Sequence, residues 1–253
     1  MIEIKNVSKS FGKNKAVEDL TLHIKKGEFF GFLGPNGAGK TTTIKMMTGL
    51  LSPDHGLVEI CGIDVVKNPE AAKRNIGFIP DTPYIYEKLS GREYIDFIAG
   101  LYNIPRAKAE KNTRRLFEIF GMDGWTNDRC EEYSHGMRQK ILYCAAFMHE
   151  PEVLIIDEPM VGLDPQSTRL VKDLMKQYAE LGNTVFVSTH TLSLAEELCD
   201  RIGIINQGKL VVAGSLEELR KFAASEGENL ETLFLKITGS SRLSDLPFGF
   251  KDE

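Results

Sequence analysis

The sequence has few cysteines and no long hydrophobic segment. Its 253 residues include four cysteines, and none belongs to a C-x-x-C pair or has a histidine at metal-ligand spacing. Scattered cysteines of this kind favour buried thiols in a reducing compartment over a zinc site. No apolar run approaches the ~20 residues that span a bilayer, and residues 1–5 lack the apolar core of a signal peptide. These absences predict a cytosolic chain, which can still bind a membrane-embedded partner.

The chain also lacks an excess of positive charge and any internal repeat. Its formal net charge is −5, which argues against a protein that acts mainly on a nucleic-acid backbone or on anionic lipid. Hydrophobic residues make up 42% and charged residues 26% of the chain, and these are ordinary values for a globular protein. The length allows one large domain or two small ones.

A glycine-rich segment at residues 34–41 is the most specific motif. It fits the pattern G-x-x-x-x-G-K-[ST] at every fixed position. It follows an apolar run at residues 28–33, which predicts a buried strand, and it precedes a predicted helix at residues 42–47. Strand, glycine loop and helix form the context that a P-loop requires. The predicted phosphate-binding residues are Gly34, Pro35, Asn36, Gly37, Ala38, Gly39, Lys40, Thr41 and Thr42.

Each residue type in this loop suits a nucleoside triphosphate. Glycines let backbone N–H groups turn inward around phosphate oxygens, and the N-terminus of the following helix adds its positive dipole end. Lys40 would place a compact charge on the β- and γ-phosphates. Thr41 would supply a hydroxyl to Mg²⁺, which bridges those phosphates. The motif therefore predicts ATP or GTP together with Mg²⁺.

The segments before the P-loop predict a small antiparallel sheet. Residues 2–7 and 20–24 alternate apolar and polar side chains, as half-buried strands do. A turn is predicted from Ser10 to Lys15, and its aromatic residue, Phe11, either packs in the turn or folds back over a bound base. After the P-loop helix we expect strands at residues 57–60 and 76–79.

A helical insertion is predicted between the two halves of the α/β sheet. Ser90 and Glu93 form a capping box, and apolar residues at helical spacing follow it. These residues are Tyr94, Phe97, Ile98 and Leu101. A second helix is expected from Pro105, at its first position, to a stop at Gly121.

The sheet resumes at residues 153–157, an apolar run of the kind found in a strand buried on both faces. Asp157 at its end is placed to hold Mg²⁺ beside a P-loop, directly or through water. Glu158 follows, and its carboxylate could orient and polarise an attacking water. Further on, the sequence predicts a helix starting at Asp164-Pro165, a buried strand at 184–188, and then a hairpin.

With these motifs, the chain resembles the nucleotide-binding subunit of an ABC transporter from about residue 2 to residue 222. The motifs occur in the family's order: residues 34–41 match Walker A, 133–139 the family signature, 153–158 Walker B, 162–164 the D-loop, and 188–190 the segment that ends in the switch histidine. The resemblance implies that two subunits sandwich two ATP molecules and that hydrolysis releases them. It also implies that His190 contacts the γ-phosphate and assists Glu158, and that Phe11 stacks on adenine.

The signature also makes sense as a second anion site. Ser134 and Gly136 lie where the N-terminus of a helix would present free N–H groups. In the family, this site reaches the γ-phosphate bound by the opposite subunit. His135 and Met137 replace the usual Gly and Gln of the signature. Asp81 stands where many members carry a glutamine near the metal, which makes it a candidate metal ligand.

These departures and the closing segment at residues 230–239 resemble the ATP-binding subunits of bacterial ABC-2 type exporters. The resemblance implies a separate transmembrane permease as partner, gripped in a cleft that the apolar residues 83–87 could line. It places the protein on the inner face of the cell membrane. Two alternatives stay open: a soluble ABC ATPase acting on ribosomes or DNA, and a P-loop kinase or GTPase.

We therefore predict an α/β fold: a P-loop NTPase (RecA-like) core with a small antiparallel β subdomain and an inserted α-helical subdomain. The ATPase domain is expected to span residues 1–222, with the helical insertion at about 82–149 and the signature within it. Residues 223–253 are predicted to form a short extension whose tail, from about residue 239, is loosely held.

Overall fold

A computed structural model describes residues 1–225 and 229–238 of the chain, which hold two β-sheets surrounded by helices. The strands are β1 (Ile2–Phe11), β2 (Asn14–Ile24), β3 (Phe29–Leu33), β4 (His55–Ile60), β5 (Ile63–Asp64), β6 (Ile76–Ile79), β7 (Val153–Asp157), β8 (Thr184–Thr189), β9 (Arg201–Asn206) and β10 (Lys209–Ser215). The α-helices are α1 (Lys40–Met47), α2 (Pro69–Lys73), α3 (Gly91–Leu101), α4 (Arg106–Phe120), α5 (His135–Phe147), α6 (Pro165–Glu180), α7 (Leu192–Leu198), α8 (Leu216–Ser225) and α9 (Leu230–Thr238).

The smaller sheet is antiparallel, as predicted, in the order β2-β1-β4-β5. Its first hairpin is tighter than expected, because β1 and β2 pair as far as Phe11 and Asn14. Only two residues connect these strands, and Gly12 adopts the positive φ of 61° that such a turn favours. The side chains around the turn are polar, so the apolar alternation that predicts a strand stops before the backbone pairing does.

The larger sheet has the order β10-β9-β3-β8-β7-β6. Strands β9, β3, β8, β7 and β6 run parallel, and β10 pairs antiparallel with β9. The helices α3 to α7 cover one face with a large apolar core, and the small sheet and α1 cover the other. Every residue of β7 is buried, as its unbroken apolar sequence predicted. Parallel pairing brings the carboxyl ends of β3, β7 and β8 to one edge of the sheet.

Three helices, α3 to α5, occupy the region predicted as a helical insertion. The capping box of α3 is confirmed, with Glu93 N donating to Ser90 Oγ at 3.2 Å and Ser90 N donating to Glu93 Oε2 at 2.8 Å. Helix α4 begins one residue later than predicted, because Pro105 has an extended ψ of 136° and lies outside the helix. The helix ends at Gly121, as expected, in the left-handed conformation with φ 63°.

The predicted apolar face of α3 is wrong in part. Phe97 and Leu101 are 40% and 60% exposed, whereas α3 buries Gly91, Tyr94, Ile95 and Ala99. Gly91 is a site of close approach, since a Cβ there would lie 2.1 Å from Tyr133 Oη. The predicted spacing left out the buried Ile95, and the small residues that let this helix approach its neighbour give no signal of their own.

The described part of the chain ends with a capped helix and one further helix. Ser215 and Glu218 form the capping box of α8, with hydrogen bonds of 3.2 and 2.7 Å. The tail predicted to be loosely held lies outside the described residues.

Three cysteines, Cys130, Cys144 and Cys199, are buried, while Cys61 is partly exposed. In residues 1–225 and 229–238, no helix has the length and apolar content to cross a bilayer.

Candidate functional site

The glycine loop connects β3 to α1 and leaves the N-terminus of α1 open. Gly39 caps this helix with φ 111° and provides no side-chain hydrogen bond to its first turn. A Cβ on Gly39 would lie 2.5 Å from the Ala16 carbonyl oxygen, and one on Gly34 would lie 2.3 Å from that of Ile205. The loop can therefore take this path only with glycine at both positions, and its free N–H groups suit an anion.

Lys40 is buried at the base of the loop. Its Nζ donates hydrogen bonds to the carbonyl oxygens of Gly34 at 2.7 Å and Pro35 at 3.2 Å. Its nearest carboxylate is that of Glu158, with Nζ 3.9 Å from Oε1. Burial lowers the pKa of Lys40, while the charges of Glu158 and Asp157 oppose the shift. A phosphate group would supply the close anionic partner that this ammonium lacks.

Asp157 lies opposite Lys40 at the end of β7. Its Oδ2 accepts a hydrogen bond of 2.8 Å from Thr41 Oγ1, and its Oδ1 accepts one from Ser188 Oγ. Burial raises the pKa of Asp157, the two hydrogen bonds oppose the shift, and the charges of Asp81 and Glu158 add to it. A bound cation would relieve this cost, because it favours the ionised carboxylate.

The Thr41 hydroxyl and the Asp157 carboxylate are oxygen donors of the type that Mg²⁺ prefers. Within the described residues, no group of three or more His, Cys, Asp or Glu side chains converges on a possible metal position. Two protein oxygens suit Mg²⁺ that also takes phosphate and water oxygens, as is usual for nucleotide-bound Mg²⁺. The residues therefore fit a metal that arrives with its nucleotide.

Glu158 occupies a constrained position directly after β7. Its φ is 52°, which is uncommon for a residue other than glycine, and its N–H donates to the Ser188 carbonyl oxygen at 3.0 Å. Its carboxylate Oε1 lies 2.9 Å from His190 Nδ1, and Oε2 accepts a bond of 3.3 Å from Thr189 Oγ1. The carboxylate thus lies near both Lys40 and His190, and the resemblance had implied that His190 assists it.

These residues surround a cavity of about 310 Å³ at the carboxyl edge of the larger sheet. Its lining residues are Phe11, Asn14, Ala16, Pro35, Asn36, Gly37, Gly39, Lys40, Thr41, Thr42, Asp81, Asp157 and Glu158. Of the other predicted site residues, Gly34 and Ala38 belong to the loop but do not line this cavity. His190 lines a neighbouring cavity of about 330 Å³ that also reaches Glu158. Asp81 is exposed, and its Oδ1 accepts a hydrogen bond of 2.8 Å from Thr82 N.

The signature residues lie apart from this cavity, at the start of α5. Ser134 Oγ caps the helix by accepting a bond of 3.3 Å from Met137 N. Ser134 is exposed and Gly136 half-buried, and neither lines the P-loop cavity. The D-loop touches this helix end, because a Cβ on Gly162 would lie 1.8 Å from Cδ2 of His135. The structure thus contains a second, separate helix N-terminus suited to an anion.

Some residues at the site were not predicted. Asn14 and Ala16 line the cavity from the small sheet, and Ser188 and Thr189 hold the two acidic side chains. The last two lie in the segment that ends in His190, so the pattern already contained them. Asn14 and Ala16 carry no motif, and only the fold brings them to the P-loop.

The fold and this cavity define a P-loop nucleotide-binding protein. The family model described as "ABC transporter" matches residues 17–161, and the chain belongs to that family. It is the ATP-binding subunit of a transporter and an ATPase.

The chain is similar to proteins of this family in sequence and in structure. It is 40% identical over 219 residues to the linearmycin resistance ATP-binding protein LnrL of Bacillus subtilis, covering 87% of this chain and 70% of the relative. A solved ATP-binding subunit of an ABC transporter superposes with TM-score 0.89 at 33% identity, covering 94% of this chain and 99% of that one. The dimeric structure of a bacterial ABC transporter cassette gives TM-score 0.79 at 25% identity, with coverages of 85% and 98%.

Proposed function

We propose that the P-loop cavity binds ATP with Mg²⁺ and that Glu158 activates the attacking water. The observation that carries this proposal is the position of the Glu158 carboxylate, 3.9 Å from Lys40 Nζ and 2.9 Å from His190 Nδ1. A base must lie within hydrogen-bond reach of the water that it polarises, and a carboxylate at the mouth of a phosphate site meets this condition.

The other residues of the cavity bind and orient the nucleotide. The N–H groups of Gly34 and Ala38 already donate to the carbonyl oxygens of Thr189 and Pro35. The other N–H groups of the loop and the ammonium of Lys40 hold the phosphates. Thr41 and Asp157 would hold Mg²⁺, whose charge neutralises the phosphate oxygens when it is bound. Phe11 offers an exposed ring for stacking on the adenine. Asp81 also lines the cavity. Its carboxylate could meet Mg²⁺ but would repel the γ-phosphate, so we assign it a weaker part in metal binding.

We further propose that the signature acts on the ATP of a second subunit, identical or not. Ser134 is exposed and lies outside the P-loop cavity of its own chain, which favours action in trans. The dimeric cassette with the same fold supports this arrangement. In this proposal residues 1–222 act as one ATPase domain, and the helices within about 82–149 form the subdomain that presents the signature.

The partner that completes the transporter is proposed to be a separate transmembrane permease, which would hold the subunit at the inner face of the cell membrane. The exposed aromatics Tyr84 and Tyr86, which are 90% and 59% exposed, offer apolar area for such a contact. The name of the linearmycin resistance relative supports export over import. Nucleic acid is not an expected partner, since the net charge is −5.

The variant Glu158→Gln tests the catalytic proposal. Removing the base should lower steady-state phosphate release by about 100-fold or more, while ATP binding persists because Lys40 and the loop remain. Size-exclusion chromatography with ATP should then show a longer-lived dimer. The exposed Glu217 pairs with its helical neighbour Lys221 and lies outside the P-loop cavity, so Glu217→Gln is the matched control and should hydrolyse ATP normally. Normal turnover in Glu158→Gln would remove Glu158 from the mechanism.

A tagged pull-down from detergent-solubilised native membranes tests the transport proposal. A polytopic membrane protein should co-purify in near-stoichiometric amount with the wild-type chain. Replacing Tyr84 and Tyr86 by serine should weaken its recovery without lowering basal phosphate release. Recovery of the chain with ribosomes or DNA instead would leave the ATPase standing and overturn the proposed partner.

A further inference from the structure

Helix α5 connects the signature with the segment that carries Glu158. Tyr143, in the middle of this helix, is completely buried. Its hydroxyl donates a hydrogen bond of 2.9 Å to the carbonyl oxygen of Pro159, the residue after Glu158. No motif predicts this contact, which joins positions that are 16 residues apart in sequence.

We propose that Tyr143 is a positioning residue for ATP hydrolysis and that its hydroxyl sets the path of the backbone at Glu158. The inference rests on the proposed role of Glu158 as the base. Proline has no N–H, so its carbonyl is the one backbone group through which Pro159 can be held by a hydrogen bond. On the other side, Glu158 N is fixed to the Ser188 carbonyl oxygen at 3.0 Å.

The conformation of Glu158 explains why such a restraint matters. Its φ of 52° is disfavoured for a residue with a Cβ, and such a conformation persists only when the surroundings hold it. Without the hydroxyl, the segment could relax and turn the carboxylate away from His190. A displacement of about 1 Å at a reacting group can cost on the order of 100-fold in rate.

The tyrosine ring is itself held firmly, as a positioning group requires. It stacks on Phe120 of α4 with ring centroids 5.8 Å apart. Burial raises the pKa of Tyr143, so its hydroxyl stays protonated and remains a donor at any working pH. Gln139, one turn earlier on the same helix, has no hydrogen-bond partner for either amide atom in the described part of the chain. Of these two polar residues of α5, Tyr143 is therefore the one that forms a hydrogen bond to the segment after Glu158.

The same helix begins at the signature, with Ser134 as its cap and Gly136 in its first turn. Engagement of those residues by the second subunit's ATP would act on the rigid helix that holds Pro159. Each hydrolytic site would then sense, through Tyr143, whether the opposite site is filled. The hydrogen bond thus offers a direct connection between signature occupancy and the orientation of the base.

The chain contains a matched control at the other end of β7. Tyr178 donates its hydroxyl to the carbonyl oxygen of Pro151, which precedes the strand. Tyr178 and Tyr143 therefore make the same kind of bond, tyrosine hydroxyl to proline carbonyl, at opposite ends of one strand. Only the bond of Tyr143 lies next to Glu158, so a loss of stability should follow at both positions and a loss of turnover at one.

The experiment compares Tyr143→Phe with Tyr178→Phe in the full chain. Both variants should unfold at lower temperature than the wild type. Tyr143→Phe should lower kcat for ATP hydrolysis by about tenfold at unchanged KM, since it affects the orientation of the base and not the binding of nucleotide. Tyr178→Phe should keep kcat within about twofold of the wild type. Equal kcat values in the two variants, high or low, would overturn the proposal.

A second pair of variants decides the matter if Tyr143→Phe does not fold. Replacing each tyrosine in turn by 4-aminophenylalanine keeps a hydrogen-bond donor, although a weaker one. The change at position 143 should lower kcat more than the change at position 178, and equal values would again overturn the proposal. Glu158→Gln is measured alongside: if it retains turnover, the assigned base is wrong, whereas an inactive Glu158→Gln with a normal Tyr143→Phe rejects the positioning role alone.

Discussion

The two edges of the larger sheet bury charged and polar groups in different ways. At the amino edge, Glu28 pairs with Arg201 at 2.8 Å and accepts a bond of 2.7 Å from Lys25 N. At the carboxyl edge, the buried Lys40 has two neutral carbonyls as its hydrogen-bond partners, and its nearest carboxylate lies 3.9 Å away. The amino edge closes its charges on one another, while the carboxyl edge holds them around a cavity. A buried charged group therefore indicates a functional site only where it is incompletely paired and faces a cavity that a ligand can fill.

The largest expected effect comes from removing the charge at the carboxyl edge. Lys40→Ala should weaken ATP binding by about 10- to 100-fold, since hydrogen bonds to charged groups contribute about 1.5–3 kcal/mol. Lys26, near the amino edge, pairs with Glu152 at 3.5 Å and is well exposed, so Lys26→Ala should bind ATP normally. Calorimetric titration with ATP in the two variants measures this difference. Equal losses of affinity would mean that the two edges do not differ as described.

The carboxyl edge could be predicted largely from sequence, because its groups belong to short patterns. The P-loop, the acidic pair after an apolar run and His190 after a second such run each carry their own local signal. The parallel sheet then brings the ends of β3, β7 and β8 together, so adjacency in space follows from strand order. Local pattern and fold therefore agree for Lys40, Asp157 and Glu158.

The remaining features depend on contacts between distant segments and leave no local signal. Tyr143 and Tyr178 sit in helices as ordinary apolar residues, and their carbonyl partners are known only from the fold. Gly91 gave no signal for the close approach of Tyr133, and Phe97, one of the apolar residues predicted at helical spacing, is exposed. Sequence patterns report which residues prefer burial, whereas the neighbour of each buried residue is set by packing.

A pH experiment at the amino edge gives the second prediction. His149 stacks on Tyr102 with ring centroids 3.8 Å apart, and its Nε2 lies 3.0 Å from the Ile76 carbonyl oxygen. Burial lowers the pKa of His149 from 6.5 to about 4, with the hydrogen bond opposing the shift. The unfolded chain then binds the proton more readily, so stability is complete above about pH 6.5 and falls as pH drops toward 4.

From these values, this histidine should contribute a loss of about 2 kcal/mol in the free energy of unfolding between pH 7 and pH 5. Urea titrations of the wild type and of His149→Phe, which keeps the ring stack, should differ by that amount in their pH dependence. His55→Gln at an exposed position should leave the dependence intact. Basal kcat per folded molecule should not change in His149→Phe. A loss of turnover would mean that the amino edge of the sheet also contributes to catalysis.

The smallest expected effect concerns Phe11, which reaches the cavity from the small sheet and not from either edge of the larger one. Its ring is 52% exposed, and Lys9 Nζ lies 5.9 Å from the ring centroid. Stacking of a base on an aromatic ring is worth about 1–3 kcal/mol, and the lower end applies to an exposed ring. Phe11→Ala should therefore weaken ATP binding by roughly fivefold with kcat unchanged, and Phe11→Tyr should bind as the wild type does.

Trp125 is 48% exposed in the helical region, and Trp125→Ala should have no effect on ATP affinity. If Phe11→Ala bound ATP normally, the adenine would not stack on Phe11, and the small sheet would contribute to the site only through Asn14 and Ala16.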